Sequence, residues 1–162
     1  MSRTNPNFRI GFGVDIHQLV EDRPLIIGGV EIDAPFGALG HSDADVLLHA
    51  ICDALLGALA LGDIGAHFPD TDPQFEGISS MELLQRVHEI IHAKGFSVIN
   101  IDTTILAEIP KLQPYLESMQ KNIAGILGIE EPSVNIKAST TEGLGIIGKG
   151  EGMAAFSVAL IA

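Results

Sequence analysis

The chain has 162 residues, 46% of them apolar, with a mean hydropathy of +0.33 and a formal net charge of −12. This is the usual size of one domain, long enough for a core without disulfides or a structural metal. The acidic balance argues against a nucleic-acid partner, the single cysteine excludes a disulfide within the chain, and no apolar run has the length of a membrane span.

The opening MSRTNPNFR holds no apolar signal core, so a cytoplasmic protein is expected. Residues 1–8 read as a flexible extension and residues 9–162 as one domain. The surplus of apolar residues is expected to be covered by subunit contacts.

Phe8 to Ile16 alternates loosely and predicts a strand. Pro24 to Ile32 predicts a strand, a Gly-Gly turn or bulge, and a second short strand. Ser42 is a good helix N-cap, which places Asp43 and Asp45 in the first turn of a helix running to about Leu61. Phe68 to Pro73 reads as loop. Ser79 and Glu82 form a capping box for a second helix that stops at Gly95. Ser97 to Leu106 predicts a strand, and Pro114 opens a third helix that ends at Gly128. Ser133 to Ala138 and Met153 to Ile161 predict strands, joined by a Gly-rich connection over 143–152. The order implies an α+β fold, one layer of mixed sheet with helices on one face.

Chemistry-bearing residues crowd the first third of the chain. On a strand, Asp15 and His17 point to the same side. On the first helix, Asp45, His49 and Asp53 stack on one stripe. That stripe can present His49 to a metal, with a carboxylate orienting the ring from behind. Two histidines and one carboxylate make a three-ligand zinc site with an open fourth position, the pattern of a catalytic rather than a structural zinc. Taken singly, each His also reads as a satisfied polar residue beside a cap. As a set they are costly in so apolar a helix unless partnered.

A second cluster is Ser139-Thr140-Thr141-Glu142, followed by Gly143 and the Gly-flanked Lys149. Its hydroxyls can donate to phosphate oxygens, and Glu142 suits Mg²⁺. A capped turn is the plain alternative. Ala107 to Leu112 reads as a strand end running into a proline turn. His88-Glu89-x-x-His92 matches a zinc-protease pattern, but Leu83, Leu84, Val87, Ile90 and Ile91 make the buried face of that helix, which turns the motif towards solvent. Cys52 reads as packing.

The motifs GVDIH, GHSDADVLLHAICDALLGALALGDIGAHFPDTDP, AEIPKL and KASTTEGLGIIGKGEG closely resemble the 2-C-methyl-D-erythritol 2,4-cyclodiphosphate synthase family of non-mevalonate isoprenoid biosynthesis. The resemblance runs from about Arg9 to the end of the chain. It implies a phosphorus–oxygen lyase, assembled as a homotrimer with active sites between subunits. The implied substrate is a cytidine diphosphate, 4-diphosphocytidyl-2-C-methyl-D-erythritol 2-phosphate. Its 2-phosphate attacks the β-phosphorus, CMP leaves, and a cyclic diphosphate forms.

Carried over by the same resemblance, Asp15, His17 and His49 bind one Zn²⁺ per subunit, and Glu142 helps hold Mg²⁺ or Mn²⁺ with the substrate. His41 and Thr140 are the implied transition-state stabilisers, and Ser42 contacts phosphate. Asp63, Ile64 and Gly65 hold the methylerythritol part, under a loop of Phe68, Pro69, Asp70, Thr71 and Asp72. Ala107, Glu108, Ile109, Pro110, Lys111 and Leu112, with Ser139 and Thr141, form the cytidine pocket. Asp45 and Asp53 stand behind the metal ligands. Ile146 and Lys149 complete the substrate-side set near the three-fold cavity. Many relatives carry an aromatic residue and Arg there, and Lys does not reproduce the bidentate phosphate grip of Arg. The resemblance leaves room for docking to neighbouring pathway enzymes. The competing class is a non-catalytic trimeric module that binds a phosphate metabolite or a pathway enzyme.

Overall fold

In the computed structural model, which describes residues 7–69, 71–75 and 77–162, strand β1 spans Arg9–Glu21. It therefore ends well beyond Ile16. Asp15, His17 and Gln18 break the apolar alternation, yet their backbones stay in the ladder opposite Ala155, Met153 and Gly152. Pairing, not side-chain polarity, decides where this strand stops.

Strands β2 (Leu25–Ile27) and β3 (Val30–Ile32) form the expected hairpin around Gly28 and Gly29, both at positive φ. Strand β4 (Phe36–Ala38), too short to show a period, pairs with the end of β1. Helix α1 spans Val46–Ala58. Its N-cap is Asp45, not Ser42, because the Asp45 side chain accepts the Leu48 N–H while Ala44 before it sits at φ 55°. Asp43 thus lies outside the helix, and the helix stops before Leu61.

A short helix α2 (Ile64–His67) follows, where loop was expected to begin only at Phe68. Helix α3 (Ser80–Ala93) is capped by Ser79 as expected, and only Leu83, Leu84, Val87 and Ile91 of its apolar stripe are fully buried along with Ser80. Strand β5 spans Val98–Leu106. A turn of 3₁₀ helix at Gln113–Tyr115 carries Pro114, α4 runs over Leu116–Leu127, and Gly128 closes it in the left-handed conformation. Strand β6 is Val134–Ser139, α5 is a single turn at Gly145–Gly148 inside the Gly-rich connection, and β7 is Gly152–Ile161.

The sheet order is β4-β1-β7-β5-β6, antiparallel except for the parallel β5–β6 pair, so it is mixed as expected. One core joins Leu47, Ile51 and Leu55 of α1, Leu84 and Val87 of α3, and Met119 and Ile123 of α4 to Ile101, Ile105 and Ala155 of the sheet. On the opposite sheet face β1 is apolar and open, while β5 and β6 carry Asp102, Asn135 and Lys137. Ile10, Phe12, Val14 and Ile16 alternate along β1 with exposures of 38–71%, and Phe12 stacks on Phe156.

The contact between α1 and β1 has no room for side chains. A Cβ on Gly11 would lie 1.7 Å from the Ala54 carbonyl oxygen, and one on Gly13 would lie 2.0 Å from that of Ala50. Glycine on the strand, facing alanine on the helix, lets the two backbones touch.

Gly13→Ala is therefore expected to cost about 3 kcal/mol or more, since the clash is with backbone that cannot rotate away. Gly125→Ala, in open space on α4, is expected to gain about 0.5–1 kcal/mol. Chemical denaturation of both variants checks the contrast, and equal effects would refute the close-packing account.

Candidate functional site

Asp15 and His17 stand on the helix-facing side of β1, and His49 lies in the first turn of α1, where the close approach brings it over the strand. The three side chains converge. Asp15 Oδ2 lies 2.9 Å from His17 Nε2 and 3.0 Å from His49 Nδ1, and the two ring nitrogens are 3.2 Å apart. Among the described residues this is the one group of three or more His, Cys, Asp or Glu side chains placed to share a metal.

The outer ring nitrogens decide what this cluster is. His17 Nδ1 donates to the Leu39 carbonyl at 2.8 Å, which leaves Nε2 with its lone pair. The Ser80 hydroxyl donates to Asp43 Oδ1, so towards His49 Nε2, 2.9 Å away, it can only accept. His49 is therefore protonated at Nε2 and bears its lone pair on Nδ1. Two nitrogen lone pairs and a carboxylate oxygen within 3.2 Å repel one another unless a cation sits between them. Around a tetrahedral zinc with bonds of about 2.0–2.1 Å, ligand atoms are about 3.3 Å apart, so the triangle fits such an ion with little movement.

Without a metal, a proton takes that place. Burial works against charge on Asp15, but hydrogen bonds and charge from His17 and His49 outweigh it and hold the carboxyl well below the usual range. Burial also works against the His17 imidazolium, yet Asp15, the Leu39 carbonyl and the charge of Asp45 raise its pKa.

Asp45 and Asp53 do not stand behind the His49 ring with a hydrogen bond, as the stripe suggested. Asp45, fully buried, accepts from the Gly28, Gly29 and Leu48 N–H groups, and burial pushes its carboxyl up to about 6 against those donors. Asp53 accepts from Ile64 N and holds the start of α2. Three backbone donors at one N-cap outcompete a ring one turn away. The groups that do hold His49, the Ser80 hydroxyl at 2.9 Å and the Ser42 hydroxyl at 3.2 Å, were not read from the sequence in that role. Ser80 was hidden beside Ser79 in what reads only as a helix cap.

A cavity of about 300 Å³ opens over the triad. Of the sequence-predicted residues, His17, His41, Ser42, His49, Ile64, Gly65 and Phe68 line it; Phe75, Ile78 and Leu83 complete its apolar wall and were not anticipated. Asp63 caps α2 through Ala66 N and does not line the cavity. Pro69 and Asp72 belong to the adjoining loop, joined by the Asp72 N–H to Pro69 carbonyl bond, and Thr71 lies between them. Asp70 lies outside the described residues.

A separate cavity gathers Ala107, Glu108, Pro110, Lys111, Leu112, Ser139 and Thr140. Ile109, before the cis bond to Pro110, points away and is exposed. One Glu108 oxygen accepts from Thr141 N, Thr141 Oγ1 and Gly143 N at 2.8, 3.1 and 3.2 Å, which ties the proline turn to the hydroxyl-rich loop. The Gly143 and Thr141 donors hold the Glu108 carboxyl below its ordinary value. Glu142, exposed at φ 54°, accepts from Thr140 Oγ1 at 3.1 Å and does not join the triad within this chain. Ile146 and Lys149 are exposed on α5 and at its C-terminal end. His88 and His92 share an edge-to-face ring contact on α3, with Glu89 bonded to Gln85, and recruit no third ligand among the described residues.

A family model described as the YgbB family matches residues 8–162. The chain belongs to the YgbB family. The 2-C-methyl-D-erythritol 2,4-cyclodiphosphate synthase of Pelotomaculum thermopropionicum is 59% identical over 153 residues, 94% of each chain. A solved structure of 2C-methyl-D-erythritol-2,4-cyclodiphosphate synthase in a CDP-bound form aligns with a TM-score of 0.89 at 36% identity, over 95% of this chain and 100% of that one. The bifunctional IspDF of Campylobacter jejuni aligns with a TM-score of 0.92 at 46% identity, over 96% of this chain but only 42% of that one. Among the described residues no helix is long and apolar enough to cross a membrane.

The pKa directions give a pH dependence for the metal-free protein. The depressed Asp15 contributes stability above the unfolded carboxyl value of about 4 and loses it as pH falls through its folded value. The raised His17 contributes below the unfolded imidazole value of about 6.5 and loses it as pH rises through its folded value. With chelator present, the pair's contribution is greatest between those limits. His17→Gln is expected to flatten the alkaline side of the Tm profile, and Zn²⁺ to remove the alkaline fall in the wild type. Superimposable alkaline limbs for variant and wild type in chelator would contradict the assignment.

Proposed function

We infer that this chain is an isoprenoid-pathway lyase that converts 4-diphosphocytidyl-2-C-methyl-D-erythritol 2-phosphate into 2-C-methyl-D-erythritol 2,4-cyclodiphosphate and CMP. The observation that carries the reading is the Asp15–His17–His49 triangle opening into a cavity, in a chain 59% identical over 94% of its length to a synthase of that name. An oxygen of the 2-phosphate forms a bond to the β-phosphorus. The bond from that phosphorus to the oxygen bridging to the cytidine side breaks, and the electron pair leaves with CMP. The attacking phosphate is already an anion at neutral pH, so no strong general base is needed.

The protein's task is then in-line positioning and charge neutralisation. Zinc held by Asp15, His17 and His49, and Mg²⁺ or Mn²⁺ held with the help of Glu142, would supply Lewis-acid charge to the phosphate oxygens. This also reconciles a net charge of −12 with a multiply phosphorylated substrate. His41 and Ser42, on the rim beside His49, can donate to a phosphate oxygen without moving the ring. Ile64, Gly65 and Phe68 give the methylerythritol carbons an apolar wall. The flat slot of Ala107, Pro110 and Leu112, with the Ser139 and Thr140 hydroxyls, suits a cytosine ring and its ribose.

Among the described residues, the two cavities share no lining residue in one chain. A homotrimer with its active sites at subunit boundaries accounts for that division. Each subunit would contribute the Glu142 loop to a neighbour's triad. The alternating open face of Ile10, Phe12, Val14 and Ile16 supports such an assembly, because an exposed apolar strand face is costly in water.

The test is ³¹P NMR of the protein with this substrate, Zn²⁺ and Mg²⁺. Stoichiometric CMP and a cyclic diphosphate are expected, with the rate falling at least about a hundredfold in His49→Ala or in EDTA. An inert wild type beside a turning-over relative would overturn the reading in favour of a non-catalytic binding module.

A further inference from the structure

His49 is bound on its far side by a chain of groups that the reaction itself does not use. Ser80 is the first residue of α3 and is fully buried. Its hydroxyl accepts from His49 Nε2 at 2.9 Å and donates to Asp43 Oδ1 in a short bond. The other Asp43 oxygen accepts from the Ser80 backbone N–H at 3.0 Å. One carboxylate therefore grips Ser80 at two points, fixing both where its oxygen sits and which way its proton faces.

The helix end does not need the Ser80 hydroxyl. Ser79 already caps α3 by accepting from Met81 N, and Asp43 takes the Ser80 N–H. The Ser80 hydroxyl, at the first helical position, thus serves the ring and Asp43 and not the helix cap.

We propose that Ser80, locked by Asp43, is a positioning residue that holds His49 in its Nε2–H tautomer, aims Nδ1 at the Asp15–His17 gap, and thereby sets the metal affinity of the triad. The proposal rests on the metal reading of that triad. A ligating imidazole whose other nitrogen donates to an anion-backed acceptor is more basic and less free to rotate. Ser42 does not substitute for it. Its oxygen is farther from Nε2, at 3.2 Å, and also takes the Ala44 N–H.

The chemistry predicts opposite outcomes for two neighbouring serines. Ser80→Ala leaves His49 Nε2 without its nearest acceptor and is expected to weaken Zn²⁺ binding about 10–100-fold. Ser79→Ala removes the helix cap and is expected to lower Tm while leaving zinc affinity within about twofold. Asp43→Asn presents an amide N–H where an oxygen stood, frees the Ser80 proton to turn towards Nε2, and is expected to weaken zinc as Ser80→Ala does.

Full-length protein stripped with chelator, titrated with ZnCl₂ against a chromogenic competitor, gives the affinities. ¹⁵N NMR of the imidazoles gives the tautomer, expected as Nε2–H in the wild type and mixed in Ser80→Ala. Unchanged affinity in both Ser80→Ala and Asp43→Asn, or an equal loss in Ser79→Ala, would overturn the proposal. A wild type that takes up no zinc would instead remove the metal reading beneath it.

Discussion

The structure depends on how closely α1 lies against β1. Gly11 and Gly13 on the strand meet the Ala50 and Ala54 backbone of the helix with no side chain between them. At the residue just before Ala50, the same geometry brings His49 Nδ1 within 3.0 Å of Asp15 Oδ2 and 3.2 Å of His17 Nε2. A helix held at an ordinary side-chain distance from the sheet would leave His49 short of the strand. The most tightly packed part of the core is thus continuous with the candidate metal site, and its cost in conformational freedom is offset by burial of nearly all of α1.

Five aspartates between positions 15 and 63 divide into two kinds of work. Asp15 joins the triad. Asp43, Asp45, Asp53 and Asp63 accept from backbone N–H groups at turns and helix starts: Ser80; Gly28, Gly29 and Leu48; Ile64; and Ala66, respectively. Each stabilises a connection that surrounds the cavity. Asp43 does both, since through Ser80 it also reaches His49. These four backbone-bound carboxylates make a frame around the candidate cation site.

Much of this was legible in the sequence. The i, i+2 spacing of Asp15 and His17 put them on one face, and the Gly28–Gly29 turn, the Ser79 cap and the Gly128 stop all stand where their residue types place them. Two kinds of error remain, each with a physical cause. Ser42 and Asp45 are both good N-caps, and local preference does not say that Asp45 will win by also satisfying Gly28 and Gly29 from a distant turn. Periodicity also fails on pieces as short as β4, α2 and α5, which exist because neighbouring elements supply their partners. Contacts such as Ser80 to His49 join residues 31 positions apart and leave no mark in local sequence. The proposed sharing of the site between subunits has no local signature and comes from the family resemblance.

The most direct test of the central claim is a crystal of the protein grown with Zn²⁺, with anomalous diffraction recorded on both sides of the zinc absorption edge. The account predicts a strong peak present only above the edge, about 2.0–2.2 Å from Asp15 Oδ2, His17 Nε2 and His49 Nδ1, with the fourth position facing the cavity. A triad free of anomalous density, with zinc bound at His88 and His92 instead, would contradict it.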